Sequence, residues 1–312
     1  MKLSRFLIIA IAASTSFLTA CTSEEEETSA RHELVFQLGM GNAETRATPE
    51  GTWTVGDYIA IKVGNTVKKY KITSINGEAE GIDADNKFYW EDFNESTIKV
   101  TAWSFGSDYY ETVPDIITVK TDQSSDEGYT SSDFLYAQET TITKGESPNL
   151  TFYHQMSYLG FLINIDEPVE ISSVVFGEDP DWVEGTCFIK ANYSEPTEDA
   201  ATGAIPRFGT FEVDYDDEDN MGSIIAHKGD EDERGQLYSV ILVPFEFYES
   251  LPVIINLGDG TKFSFMLGMD VMSPQCQAGT SQFYIINIRN KKLSVSSTTG
   301  QAVSAANWKE KV

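Results

Sequence analysis

Tyr58-Ile59-Ala60-Ile61-Lys62-Val63 is a short apolar run with a single charge, and after a break at Gly64 and Asn65 a second such segment, Lys68–Ile75, follows. Runs this short, bounded by turn-forming residues and rich in β-branched and aromatic side chains, read as strands. The same texture returns at Ile98–Phe105, Leu159–Ile165 and Val253–Leu257, with breaks at Gly, Asn, Asp and Pro between them. No segment carries the period of a long amphipathic helix. The chain has 18 Phe and 14 Tyr, side chains that suit a pleated, half-buried surface. An all-β fold of sandwich type is expected.

Working outward, Thr143-Lys144-Gly145-Glu146-Ser147-Pro148-Asn149 collects turn formers without an apolar period. It divides the strands into two groups, so the expected units are 47–145 and 146–312. A break at Asp166-Glu167-Pro168 competes with it. Tyr193 to Gly203 reads as a surface insertion in the second unit, and no repeat of fixed period is present.

At the N-terminus, Lys2 and Arg5 precede the apolar run Phe6–Ala13, the order of a secretory signal peptide. That run is short of the roughly 20 residues that span a bilayer. It leads to Leu18-Thr19-Ala20-Cys21, a lipobox-like end in which residues 1–20 are removed and Cys21 takes a diacylglycerol. The alternative is an ordinary signal peptide with a chance cysteine. Thr22–Ser29, with Glu24–Glu27 at its centre, cannot bury a core and reads as a tether, or equally as an acidic surface-export signal.

Without its first 20 residues the 312-residue chain keeps 292, enough for two medium domains. Its formal charge of −27 becomes −29 once Lys2 and Arg5 are lost. Nucleic acid and anionic membranes are thereby poor partners, and any assembly should rest on apolar and backbone contacts. After Cys21, Cys187 and Cys276 remain. They could form one disulfide outside the cell or stay as two separate thiols.

Catalytic signatures are missing. His32, His154 and His227 are scattered, with no HExxH and no GxSxG. His154, among apolar strand residues, reads as a hydrogen-bonded structural residue. The acidic runs Asp214–Asp219 and Asp230–Glu233 lack the glycine a calcium loop needs and read as solvated loops. No catalytic residue, metal or cofactor is expected. Glu44-Thr45-Arg46-Ala47-Thr48-Pro49 is the informative short motif. It is a polar, proline-containing loop that follows the apparent strand His32–Leu38 and offers its Arg46–Ala47 bond to a trypsin-like protease.

Several pieces taken in order resemble the fimbrillin family, the lipoprotein precursors of surface fimbriae in anaerobic Gram-negative bacteria. They are Trp53-Thr54-Val55-Gly56-Asp57-Tyr58-Ile59, Phe88-Tyr89-Trp90, Ser132-Asp133-Phe134-Leu135-Tyr136-Ala137 and Leu150-Thr151-Phe152-Tyr153-His154-Gln155-Met156-Ser157. Phe283–Ile288, Leu293-Ser294-Val295 and Trp308 complete the set. The resemblance implies two tandem transthyretin-like β-sandwiches, an outer-membrane lipoprotein precursor and a fimbrial subunit at the cell surface. It implies that residues 21–46, tether and propeptide strand together, leave when the bond after Arg46 is cut. The inward Leu34, Phe36 and Leu38 of that strand would vacate a groove for a neighbouring subunit's C-terminal segment. In this chain the candidate donor lies in Leu293–Val312, although Ser296–Gly300 has little apolar alternation.

Two other readings stand beside it. A non-polymerising surface lipoprotein would bind glycans or host proteins through exposed aromatics such as Trp103, Tyr109 and Tyr110. A secreted hydrolase would need a pocket with convergent carboxylates.

Overall fold

In a computed structural model of the chain the described residues are 31–40, 53–146, 148–166, 168–178, 187–232, 235–245, 251–267, 276–290 and 292–297. The first eight strands are β1 Phe36–Met40, β2 Tyr58–Val63, β3 Thr66–Ile72, β4 Glu78–Gly81, β5 Thr97–Ser104, β6 Ile116–Thr118, β7 Leu135–Thr143 and β8 Asn149–His154. Then come β9 Ser157–Ile165, β10 Ile171–Phe176, β11 Cys187–Phe188, β12 Lys190–Ser194, β13 Thr210–Glu212, β14 Met221–Gly222 and β15 Ile224–Ile225. The last are β16 His227–Asp232, β17 Gly235–Leu242, β18 Leu251–Leu257, β19 Lys262–Leu267, β20 Ser281–Arg289 and β21 Lys292–Ser297. Helix is confined to α1, Asp126–Thr130, and two single 3₁₀ turns among the described residues. The all-β expectation is met.

The opening segment behaves as its pattern demands. Ile59, Ile61 and Val63 of β2 and Tyr70 and Ile72 of β3 turn inward and are buried, while Lys62 and Lys71 alternate outward. The second strand ends at Ile72, short of the expected Ile75, because Ser74-Ile75-Asn76-Gly77 forms a turn. Gly77 has φ +89°, a conformation that glycine adopts without strain, and its N–H donates to Ser74 O at 3.0 Å. Ile75 is left exposed at the turn's tip.

Seven strands close on themselves in the order β1-β4-β3-β2-β5-β7-β8, with β8 pairing back onto β1. β8 lies beyond residue 145, where the sequence suggested a division, yet its hydrogen bonds place it in this ring. The ring encloses one cluster of buried side chains, drawn from Leu34 to Phe152. The other cluster lies between a four-stranded sheet, β15-β10-β18-β19, and a five-stranded one, β16-β17-β9-β20-β21. Phe161 of β9 meets Phe176 of β10 at 4.9 Å and Phe265 of β19 at 6.2 Å between ring centroids, so the two sheets pack face to face.

Elements from the first half also reach into this second core. β6 pairs with β12, and the Gln123 side chain bonds both backbone groups of Ile241, accepting from its N–H at 2.9 Å and donating to its carbonyl at 2.8 Å. Tyr129 of α1 stacks on His227 at 4.3 Å and accepts from Ser239 at 2.7 Å. The proposed insertion begins later than expected, because Tyr193 is buried within β12. The stretch after β12 is held by Gln138, whose amide donates to Ile205 O at 2.6 Å.

Candidate functional site: the place of the first strand

Of the sequence-derived site residues, Leu34, Phe36 and Leu38 are brought together. Cys21, Arg46 and Ala47 lie outside the described residues. The alternation expected of an inward-facing strand is present, since Leu34, Phe36 and Leu38 are 1%, 0% and 2% exposed while Val35 between them is 55% exposed. At about 1.5–3 kcal/mol for each buried large apolar side chain, this face contributes roughly 5–9 kcal/mol before ordering costs.

Both backbone edges of β1 are occupied. On one side it runs antiparallel to β4, with Phe36 opposite Ala79. On the other it runs parallel to β8, with Leu38 opposite Leu150. The Leu34 N–H donates to Phe88 O, the Gln37 N–H to Pro148 O and the Leu38 N–H to Gly77 O, each at 2.8 Å. Ahead of the strand, Glu33 pairs with Lys87 at 2.8 Å, and His32 meets Glu91 at 2.7 Å. Surface pairs such as these position the chain and add little energy.

Around β1 stand residues that sequence reading did not single out as its partners. The Phe36 ring meets Tyr70 edge-on at 5.3 Å, and Tyr70 is fixed by stacking with Phe88 at 6.4 Å and by accepting from the Phe88 N–H at 3.1 Å. At the strand's far end Trp53 packs edge-on against Phe152 of β8 at 5.3 Å. A side chain on Gly77 would run into the Leu38 carbonyl and the Trp53 indole. The signals for these partners were inward positions in alternating strands and a glycine in a turn, and neither names the strand it faces.

Asp57, in the Trp53–Ile59 segment, carries a carboxyl that burial raises from 3.8 to about 6. Its folded pKa exceeds its unfolded value, so its stabilising contribution is complete below about pH 4 and is lost as pH rises through 6. Asp57→Asn should therefore melt higher than the parent chain at pH 8, with the gain shrinking toward pH 4. Paired thermal melts across that range check the sign.

His154 is buried against Asp133 at 2.8 Å, a structural pair joining β8 to the entry of β7. Cys187 and Cys276 are both buried with free thiols. Burial raises both, Cys276 to about 12. Trp103 is not the exposed aromatic that the surface-binding reading wanted. It is 3% exposed, and its indole N–H donates to Tyr110 O at 2.8 Å because the chain after β5 folds over it. Tyr110 stays exposed. Asp214–Asp219 is an exposed loop, with Asp217 capping a 3₁₀ turn by accepting from the Asp219 N–H. A polar pocket of about 460 Å³ opens beside β9, β16 and β17, and its lining includes Glu170, Lys228 and Glu231 but no His, Ser or Cys.

The fimbrillin-like family model matches residues 45–308. The chain belongs to the fimbrillin-like family. The assignment places it among fimbrial and adhesive proteins of the cell surface. Three solved structures share the fold. A cell adhesion protein of Bacteroides uniformis, assigned that role provisionally, is 18% identical, with TM-score 0.59, covering 87% of this chain and 98% of that one. A similarly assigned protein of Bacteroides ovatus is 16% identical, TM-score 0.58, over 86% and 96%. One from Bacteroides fragilis is 14% identical, TM-score 0.51, over 87% and 98%. No curated protein matches.

Proposed function

We propose that this fimbrillin-like chain is a polymerising fimbrial subunit whose first strand is a removable plug. Export on the 1–20 leader and lipidation at Cys21 deliver the precursor to the outer membrane. Cleavage of the Arg46–Ala47 bond frees the segment 21–46, and a strand from a neighbouring subunit takes its place. The organisation proposed with it is two sandwich units, the first built around the β1 ring. Partners are other fimbrial subunits and surface ligands; nucleic acid is not among them.

One observation carries this reading. β1 bridges β4 and β8 and, with Leu34 just ahead of it, buries three large side chains, and residues 41–52, which contain Arg46, are all that link it to Trp53. A cut there turns β1 into a separate peptide held only by non-covalent contacts. Its departure would expose two unpaired strand edges and an apolar lining, both of which strand addition satisfies. Because donor and acceptor surfaces differ, successive contacts extend into a filament rather than close into a dimer.

The test is limited digestion of the purified precursor with a trypsin-like protease, beside Arg46→Ala, read by intact mass and by sizing. The expected result is a cut after Arg46, release of the segment 21–46, and multimers once a strand that fits the vacated place is supplied, all absent from the variant. A chain cut after Arg46 that keeps β1 and stays monomeric would overturn the reading in favour of a non-polymerising surface lipoprotein.

A further inference from the structure

We infer that the place of β1 selects its occupant by side-chain size, taking an extended segment with an aromatic residue at the position of Phe36 and an aliphatic residue at that of Leu38. The inference rests on the reading above that β1 leaves, and it identifies the chemistry of the strand that replaces it.

The centre of the site is shaped for a ring. Phe36 lies directly opposite Ala79, whose methyl is the smallest side chain β4 could place there short of none. Residues opposite one another on adjacent strands have Cβ atoms about 4.5–5.5 Å apart, so a small residue on one strand makes room for a large one on the other. Phe36 fills that room completely, at 0% exposure, and offers its face or edge to Tyr70 at an interplanar angle of 89°. Tyr70 cannot swing in to fill a void, because its hydroxyl and its ring are both held by Phe88. A leucine at the centre would leave space beside Ala79, and an alanine would leave a cavity.

The flanking position at Leu38 is built the opposite way. Leu150 stands in register on β8, and on the other edge the Leu38 backbone is bonded to Gly77, which lies beside the Trp53 indole. Trp53 is itself braced on Phe152. Opposite a leucine, where no small residue makes room, a branched aliphatic side chain is accommodated and a second ring would be crowded. Leu150 lies after Arg46 in sequence, so it stays with the body of the protein after a cut there and faces whatever enters next.

The occupant is therefore a strand of another polypeptide reading aromatic, any, aliphatic. The stretch 293–312 does not supply that pattern. Leu293 and Val295 are aliphatic but Ser297 follows them, and the sole aromatic, Trp308, has Ala306 and Glu310 two places away.

The experiment uses the full chain nicked after Arg46, with the resident strand labelled through Val35→Cys at its outward position. Synthetic peptides of the His32–Met40 sequence compete for the site, with Phe, Leu or Ala at the centre, beside a peptide of residues 293–312. The Phe-centred peptide should displace the label, with Leu weaker by about tenfold and Ala by a hundredfold or more. Equal displacement by all three, or displacement by 293–312 as strong as by the Phe-centred peptide, overturns the inference. A second measurement needs no exchange: in the uncut chain, Ala79→Val should destabilise the parent but be tolerated beside Phe36→Leu. Additive losses in that double-mutant cycle also overturn it. If no peptide, the Phe-centred one included, displaces the label, the strand-release reading falls, while the cycle in the uncut chain still decides whether the site selects by size.

Discussion

Phe36→Ala is expected to cost the uncut chain about 3–5 kcal/mol, the range for removing a buried phenyl ring from a site that collapses poorly. Phe36 is fully buried, and both of its neighbours are constrained, Ala79 by having nothing to extend and Tyr70 by its bonds to Phe88. Val35→Ala is the matched control. It lies just ahead of the same strand and is 55% exposed, so its loss should stay within about 0.5 kcal/mol. Urea titration of the three proteins reads the difference, and equal midpoints for the two variants would show that β1 does not hold the ring together. A second consequence separates strand loosening from general destabilisation. Once Phe36 is truncated, β1 should open more often than the rest of the ring, so amides of β4 and β8 facing it should exchange faster than those between β2 and β3.

Much of this architecture was legible in the residues. Alternation in Tyr58–Val63 and in His32–Leu38 gave the faces, because a strand with one buried side must place apolar groups at every second position. Leu34, Phe36 and Leu38 are buried on that alternation, Leu34 just ahead of β1 and the other two within it. What alternation cannot give is the partner. Nothing in Phe36 says that it faces Ala79, and nothing in Asn149–His154 says that it closes the ring beside β1 rather than joining the strands that follow. Those facts depend on pairings between residues far apart in the chain, Phe36 with Ala79 and Leu38 with Leu150. The same limit explains Trp103, which has the composition of an exposed aromatic beside Tyr109 and Tyr110 but is covered by the chain it precedes. Turn chemistry was readable in principle, since Asn76-Gly77 marks the end of β3 ahead of Ile75, and the apolar side chain of Ile75 obscured it.

Gly77→Ala should be the most damaging single-atom change near the site, at about 2–6 kcal/mol. Two penalties add. At φ +89° a side chain is strained by about 1–3 kcal/mol, and the new methyl would stand 2.8 Å from the Trp53 Nε1 while also meeting the Leu38 carbonyl. Gly64 separates the two penalties, because its φ of +60° is also left-handed but nothing lies within 4 Å of its would-be side chain. Gly64→Ala should lose only the backbone share, about 1 kcal/mol. If the two variants melt alike, Gly77 matters for conformation alone. If Gly77→Ala loses several times more, the close approach is what the glycine provides, and the relief open to the molecule is for β1 to move. The Leu38 N–H would then give up the Gly77 carbonyl, and the Arg46 bond should be cut faster in this variant than in the parent chain. A variant less stable but cut no faster would place the strain in Trp53 instead, and would leave β1 as firmly seated as before.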